Sequence, residues 1–182
     1  MIQEVFTQVL GTCNMELLYD APHNYIWKKQ IDDKEYFIHR KGACCARGCE
    51  EMEGTEFAYY GEPVMIPGSM GSSSYLLRGL GNSDALWSAS HGAGRQKSRG
   101  DAIKGNDAAF RQFMEHFHVI TPIDPNRTDL KGRADILKKW EESIRAEAPY
   151  AYKDIHEVIA VHTAHNIAQP IARMEPIFTV KS

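Results

Sequence analysis

Pro63-Val64-Met65-Ile66-Pro67-Gly68-Ser69-Met70-Gly71-Ser72-Ser73-Ser74-Tyr75-Leu76-Leu77-Arg78 is the stretch on which the fold turns. Residues 63–67 and 73–78 are short apolar runs that read as two strands, and the segment between them is too rich in Gly and Ser to continue either one. A loop held between strands is where binding groups collect, because the sheet fixes the backbone on both sides.

Working outward, 16–20 and 35–40 also read as strands, the second carrying Tyr36, Phe37 and Ile38, so the first half is sheet-forming. Before them, Ile2, Val5, Phe6, Val9 and Leu10 recur at helical spacing until Gly11-Thr12 breaks the pattern, which predicts a helix over 2–10. Downstream, Phe110, Phe113, Met114 and Phe117 predict a helix over 106–117. Ile136, Leu137, Trp140 and Ile144 predict another over 133–146, with Pro122, Pro125 and Asn126 marking the turn between them. A last helix, about 154–167, leads into a final strand near 171–180. Strands and helices mix without a regular βαβ alternation, so the expected class is α+β, with mixed, largely antiparallel sheets and flanking helices. Without repeats or a dividing linker, residues 1–182 read as one unit.

A net charge of −3 argues against coating nucleic acid by bulk electrostatics, so a phosphate partner must meet a local cluster of cations. Arg95, Lys97 and Arg99 form one. The first residues show no basic leader with an apolar core, and no apolar run approaches the roughly 20 residues of a membrane span, so the expectation is a cytoplasmic protein with no membrane partner. Cys13, Cys44, Cys45 and Cys49 then read as reduced thiols, and no second CxxC-type pair completes a tetrahedral metal set. His162 and His165, one turn apart on a predicted helix, lack a third ligand and read as surface residues.

Ser90-His91-Gly92-Ala93-Gly94-Arg95 carries the chemistry. Gly92, Ala93 and Gly94 take up little space, so a bulky phosphate can approach the imidazole and the backbone N–H groups, and Arg95, Arg99 and Lys97 supply positive charge. A neutral imidazole, with an ordinary pKa of about 6.5, is a competent nucleophile near neutral pH. Composition alone leaves a second reading open, a glycine-rich turn with an exposed histidine and a solvated basic stretch.

Several motifs in one order decide between the two: Tyr19-Asp20-Ala21-Pro22-His23-Asn24, His39-Arg40-Lys41-Gly42-Ala43, the Pro67–Tyr75 loop, Arg78-Gly79-Leu80-Gly81-Asn82, the His91 run with Ser98-Arg99, Ala151-Tyr152-Lys153-Asp154-Ile155, and Val180-Lys181. With these the whole chain resembles the RtcB family of RNA-splicing ligases. The resemblance implies a GTP-dependent ligase that joins an RNA 3′-phosphate, or an opened 2′,3′-cyclic phosphate, to a 5′-hydroxyl, as in tRNA splicing or RNA repair. It implies that His91 is guanylylated by GTP in the presence of Mn2+ and that His23 is a manganese ligand. Ser69, Ser74, Gly92, Ala93, Gly94, Tyr152 and Lys181 then border the guanylate with His91, while Arg95 and Arg99 meet phosphates of RNA or nucleotide. Arg40 and Lys41 read instead as a solvated basic turn, and His39 is given no ligand role.

The resemblance reaches only about the C-terminal half of a family member. Most family metal ligands lie upstream, in an Asp-x-x-Cys segment, an Asn-His segment and a further histidine, none of which occurs here. The expectation is a C-terminal portion that needs a complementary N-terminal half, both for its metal and to cover an apolar face left exposed by the cut. The alternative is a truncated or split relative that binds nucleotide or RNA ends without joining them alone.

Overall fold

A computed structural model describes residues 2–12, 14–22 and 24–181. The elements are α1 (Ile2–Leu10), β1 (Asn24–Ile31), β2 (Lys34–Lys41), β3 (Ala43–Cys45), β4 (Pro63–Ile66), β5 (Ser74–Gly79), β6 (Ser88–Ser90), α2 (Arg99–Ile103), α3 (Asp107–His116), β7 (His118–Ile120), α4 (Ala134–Arg145), α5 (Ile155–Ala164), β8 (Ala168–Met174) and β9 (Phe178–Val180). The fold is α+β, as expected. β1–β2, β3–β6 and β4–β5–β8 pair antiparallel, and β7–β9 is parallel.

β5 is the central strand of the three-stranded sheet, and its alternation puts Tyr75 and Leu77 on the buried face. Val64 and Ile66 of β4, Ile155 and Ile159 of α5, and Cys44, Ala46, Ala89 and Ala93 join them in one buried cluster. α5 starts where it does because Asp154 accepts a hydrogen bond from the His156 N–H, satisfying one of the helix's free donors. Gly79 ends β5 against the chain after β3, where a Cβ would sit 2.4 Å from the Ala46 carbonyl carbon, so no larger residue fits. Pro170 lies on the edge strand β8 beside a register shift opposite Leu76 and Leu77, a place where a missing N–H donor is tolerated.

Glu62, just before β4, is 1% exposed. Its Oε2 accepts from the Arg47 backbone N–H (3.0 Å) and Nε (2.9 Å), its Oε1 from Arg47 Nη2 (2.8 Å), and the Tyr19 hydroxyl also donates to it. Burial alone would raise the Glu62 carboxyl, but the Arg47 and Tyr19 hydrogen bonds outweigh it and hold the group below the usual carboxylate range. The same environment pushes the Tyr19 phenol well up, through burial and the Glu62 charge.

Two expectations are corrected. Segment 16–20 is not a strand: it joins no ladder among the described residues, Leu17 and Leu18 face solvent, and only Tyr19 is drawn inward to Glu62. β2 pairs with β1, turned back through Asp32 and Asp33, both at positive φ, the geometry that matches a two-residue turn to strand twist. The final strand is two strands, β8 and β9, interrupted over 175–177 around Pro176, and they pair with β5 and β7 respectively.

The surface is large for the mass. The chain exposes 12277 Å² at 20.6 kDa, whereas a closed globule of that mass exposes about 9,000 Å². Ile26 and Phe37 on the β1–β2 hairpin, Val9 and Leu10 on α1, and Ile177 and Phe178 near β9 all lie in the excess. No helix among the described residues is long and apolar enough to cross a membrane.

Candidate functional site

His91 leaves the end of β6, where the β3 pairing finishes with the His91 N–H donating to the Gly42 carbonyl at 3.2 Å. The loop that follows is tied at nearly every residue. The Ala93 N–H donates to the Pro67 carbonyl (3.0 Å), the Lys153 N–H to the Gly94 carbonyl (3.0 Å), and the Gln96 and Lys97 N–H groups to the Ala151 carbonyl (2.9 and 3.2 Å). Gly94 takes φ 74°, a left-handed turn that glycine adopts without strain, and Arg95 bridges to Tyr152. Three segments far apart in sequence, around 67–73, 91–97 and 149–156, therefore meet through main-chain hydrogen bonds.

Where they meet is a cavity of about 460 Å³, lined by Ser69, Ser73, Gln96, Tyr152, Lys153 and Arg173 among others. Its volume suits a nucleotide. Ser69 is held by Ser72, whose Oγ accepts from the Ser69 N–H (2.6 Å) and shares a hydrogen bond with its hydroxyl (3.0 Å). The loop turns tightly at Gly68, where a Cβ would fall 2.3 Å from the Ser73 carbonyl oxygen.

Of the residues expected to border a nucleotide, Ser69 and Tyr152 line this cavity, whereas His91, Gly92, Ala93 and Gly94 are not in its lining and the loop that carries them reaches it at Gln96. Ser74 does not line it; its Oγ accepts from the Gly68 N–H at 3.4 Å. Lys181 follows β9, its N–H donates to the Ile120 carbonyl at 2.8 Å, and it too is outside the lining. His23 lies outside the described residues.

Arg95 and Arg99 converge on a residue that sequence reading missed, Glu147. Arg95 Nη1 donates to Glu147 Oε2 (3.0 Å) and to the Tyr152 hydroxyl (3.1 Å), Nη2 to the Ala146 carbonyl (2.6 Å), and Nε to the Lys97 carbonyl (3.1 Å). Its guanidinium also lies 4.9 Å from the Tyr152 ring centroid. Arg99 makes one bond, Nε to Glu147 Oε1 at 3.0 Å, and its side chain is 75% exposed. The Tyr152 hydroxyl donates to the same carboxylate. Burial works against charge on Glu147, yet Tyr152 and the two arginines hold its carboxyl below the usual range, while burial and Glu147 push the Tyr152 phenol up. Lys97 donates to Asn106 Oδ1 at 2.9 Å and sits 5.6 Å from the Tyr150 ring. The basic cluster is thus an engaged network, with Arg99 its most open member.

Two basic residues read as surface groups are buried. His162 is 4% exposed: its Nε2 accepts from the Ser90 N–H (2.9 Å), leaving Nδ1 to donate to the Val158 carbonyl (2.7 Å). Arg40, also 4% exposed, donates through Nε to Ser88 Oγ and through Nη2 to the Leu86 carbonyl, both at 2.8 Å. Lys41 beside it is exposed, as expected. Neither burial had a local signal, because the partners on other elements, Leu86 and Ser88 for Arg40 and Ser90 for His162, lie 46 or more residues away.

Cys44, Cys45 and Cys49 are unbridged thiols, and burial, with the neighbouring Cys45, pushes Cys44 up to about 11. Among the described residues no three His, Cys, Asp or Glu side chains gather as a metal site.

The sequence model described as tRNA-splicing ligase RtcB matches residues 1–182. The RNA-splicing ligase RtcB of Mycobacterium tuberculosis is 35% identical over 185 residues, covering 98% of this chain and 39% of the relative. The tRNA-splicing ligase RtcB of Pyrobaculum aerophilum is 33% identical over 196 residues, covering 99% and 37%, and that of Nanoarchaeum equitans is 35% identical over 188, covering 98% and 36%. The chain therefore spans less than two fifths of the length of these relatives. Matched from end to end by the family pattern, the chain belongs to the RtcB family.

Proposed function

We propose that this chain is the nucleophile-bearing part of a GTP-dependent RNA ligase that joins 3′-phosphate, or opened 2′,3′-cyclic phosphate, ends to 5′-hydroxyl ends. A His91 ring nitrogen attacks the α-phosphorus of GTP, expelling pyrophosphate and leaving GMP on the imidazole. An oxygen of the RNA 3′-phosphate then attacks that phosphorus, freeing His91 and forming a mixed anhydride. The 5′-hydroxyl oxygen attacks the RNA phosphorus, loses its proton and releases GMP. The anhydride is what makes joining feasible, because a bare phosphate monoester offers no good leaving group.

The observation that carries this reading is the cavity of about 460 Å³ whose walls include the His91 loop at Gln96 and the segment at Tyr152 and Lys153 that clamps Gly94. Family membership supports the reaction class. Manganese would spread the charge on the transferring phosphate. The described residues do not by themselves make a manganese site, so we assign its ligands to His23 and to a complementary N-terminal half, on the same polypeptide or another. The surplus exposed area supports such a half: roughly 3,000 Å² is ample for one side of an obligate interface. A cytoplasmic location accords with this chemistry.

The test is labelled GTP and Mn2+ added to the chain with and without the N-terminal half of a family ligase. The expected result is an acid-labile, alkali-stable protein adduct in the mixture only, lost in His91→Ala. Label retained by His91→Ala rules out this assignment. The second reading, a relative that binds ends without joining them, predicts nucleotide binding and no adduct in either sample.

A further inference from the structure

We infer that His162 is a positioning residue for His91, a buried imidazole on α5 that fixes the strand end from which the nucleophile projects; this rests on the ligase reading above. β6 is only three residues long and uses its ladder on one side, toward β3. A strand so short is held weakly by its own hydrogen bonds, and its outward N–H groups need partners when buried. Ser90, immediately before the nucleophile, finds one in His162 Nε2 at 2.9 Å.

The ring that accepts this bond is itself immobilised. Nδ1 bonds to the Val158 carbonyl of the same helix at 2.7 Å. A carbonyl can only accept, so Nδ1 carries the proton and Nε2 offers its lone pair. Both nitrogens are therefore committed, and the neutral tautomer is fixed by the partners on either side. At 4% exposure no water competes for either bond. α5 also delivers Ile155 and Ile159 to the core, so the imidazole stands on an element that cannot shift without disturbing the central packing.

The consequence reaches His91 through the main chain. The Ser90 N–H is fixed by His162 and the His91 N–H by Gly42, so successive amides are pinned from opposite sides. Attack on phosphorus needs the imidazole within a few tenths of an ångström of its line of approach, and losing one pin releases that alignment without touching the nucleotide cavity, whose lining excludes His162. A displacement of about 1 Å costs on the order of 100-fold in rate.

Three variants separate positioning from bulk. His162→Gln keeps an acceptor near the Nε2 position, His162→Asn is polar but too short to reach Ser90, and His162→Leu fills the space without an acceptor. In the complemented ligase, Leu and Asn are expected to slow adduct formation by about 10- to 100-fold with the GTP dissociation constant within about 2-fold, and Gln to recover to within about 5-fold of wild type. Equal rates in all four proteins, or a loss confined to GTP affinity, overturn the proposal. Hydrogen exchange in the 182-residue chain gives an answer independent of ligation: the Ser90 amide is expected to lose protection in Leu and Asn and keep it in Gln. An unprotected Ser90 amide in the wild type overturns the positioning role, whereas absence of any adduct in wild type with Ser90 protected counts against the ligase reading alone.

Discussion

Two clusters in this molecule are built from the same parts, a glutamate, an arginine and a tyrosine, and they behave differently. At Glu62 a single Arg47 takes both carboxylate oxygens, Tyr19 adds its hydroxyl, and the acid is sealed from water. At Glu147 two arginines share the carboxylate, Tyr152 adds its hydroxyl, and one arginine stands in solvent. The first closes the charge balance with +1 and −1, with the carboxylate buried. The second carries a surplus positive charge on an exposed fork, and of its members Tyr152 lines the cavity of about 460 Å³. Burial and stoichiometry, not residue type, separate a structural ion pair from a site that can receive an anion.

The comparison breaks first at Glu62. Glu62→Gln leaves Arg47 without its counter-charge in a mostly buried setting, and breaking such a pair is expected to cost about 3 kcal/mol, a fall of roughly 10 °C in Tm by calorimetry for a chain of this size. The pH profile gives the same answer by another route. The Glu62 carboxyl lies below its unfolded value of about 4.3. Its stabilising contribution is therefore fully present above that pH and is lost as pH falls through the lower folded value. Glu62→Gln should flatten that acid limb of the Tm curve, and an unchanged limb would show that the pair does not set acid stability.

Next in size is the contrast between Arg95 and Arg99. Arg95 donates to two part-buried backbone carbonyls, so Arg95→Ala leaves both short of a donor and should lose about 1–2 kcal/mol in denaturant unfolding. Arg99→Ala removes one exposed bond and should stay within about 0.5 kcal/mol of wild type. Its effect belongs instead to binding: a 3′-phosphorylated RNA should bind more weakly, and the loss should shrink as salt rises. An equal stability loss at both positions would remove the distinction between a framework arginine and an open one.

Legibility in the sequence follows the range of the interactions. α1, α3, α4 and α5 were readable because apolar spacing is local, and β4 and β5 because Gly and Ser bound them on both sides. β3, β6 and β7, three residues each, carry too little pattern to register, and their ladders are set by partners 43 or more residues away. Segment 16–20 misled because an apolar run reveals a wish to be buried, not a strand partner. In the site, the His91 loop, Ser69 and Tyr152 came forward as motifs. Glu147 and His162 did not, because a glutamate in a polar turn and a histidine on a helix look ordinary until the fold brings Arg95, Arg99 and Ser90 to them.

A small effect on stability, but the sharpest on the comparison, is expected at Glu147 itself. Its carboxylate bonds Arg99 and Arg95 alike, so on the proposed reading of Arg99 as a phosphate fork it is a competitor for that fork as well as a support for Arg95. Glu147→Gln keeps an oxygen for the arginine N–H groups and the tyrosine hydroxyl but removes the charge. Stability should fall by less than about 1 kcal/mol, since the group is partly open to solvent. Affinity for inorganic phosphate should rise, by about 3- to 10-fold at low ionic strength, with the gain fading as salt screens it. The direction is what matters. A carboxylate that merely braces the site, as Glu62 braces Arg47, would make phosphate binding weaker when neutralised, and titration calorimetry of the 182-residue chain in low and high salt separates the two outcomes without requiring ligation.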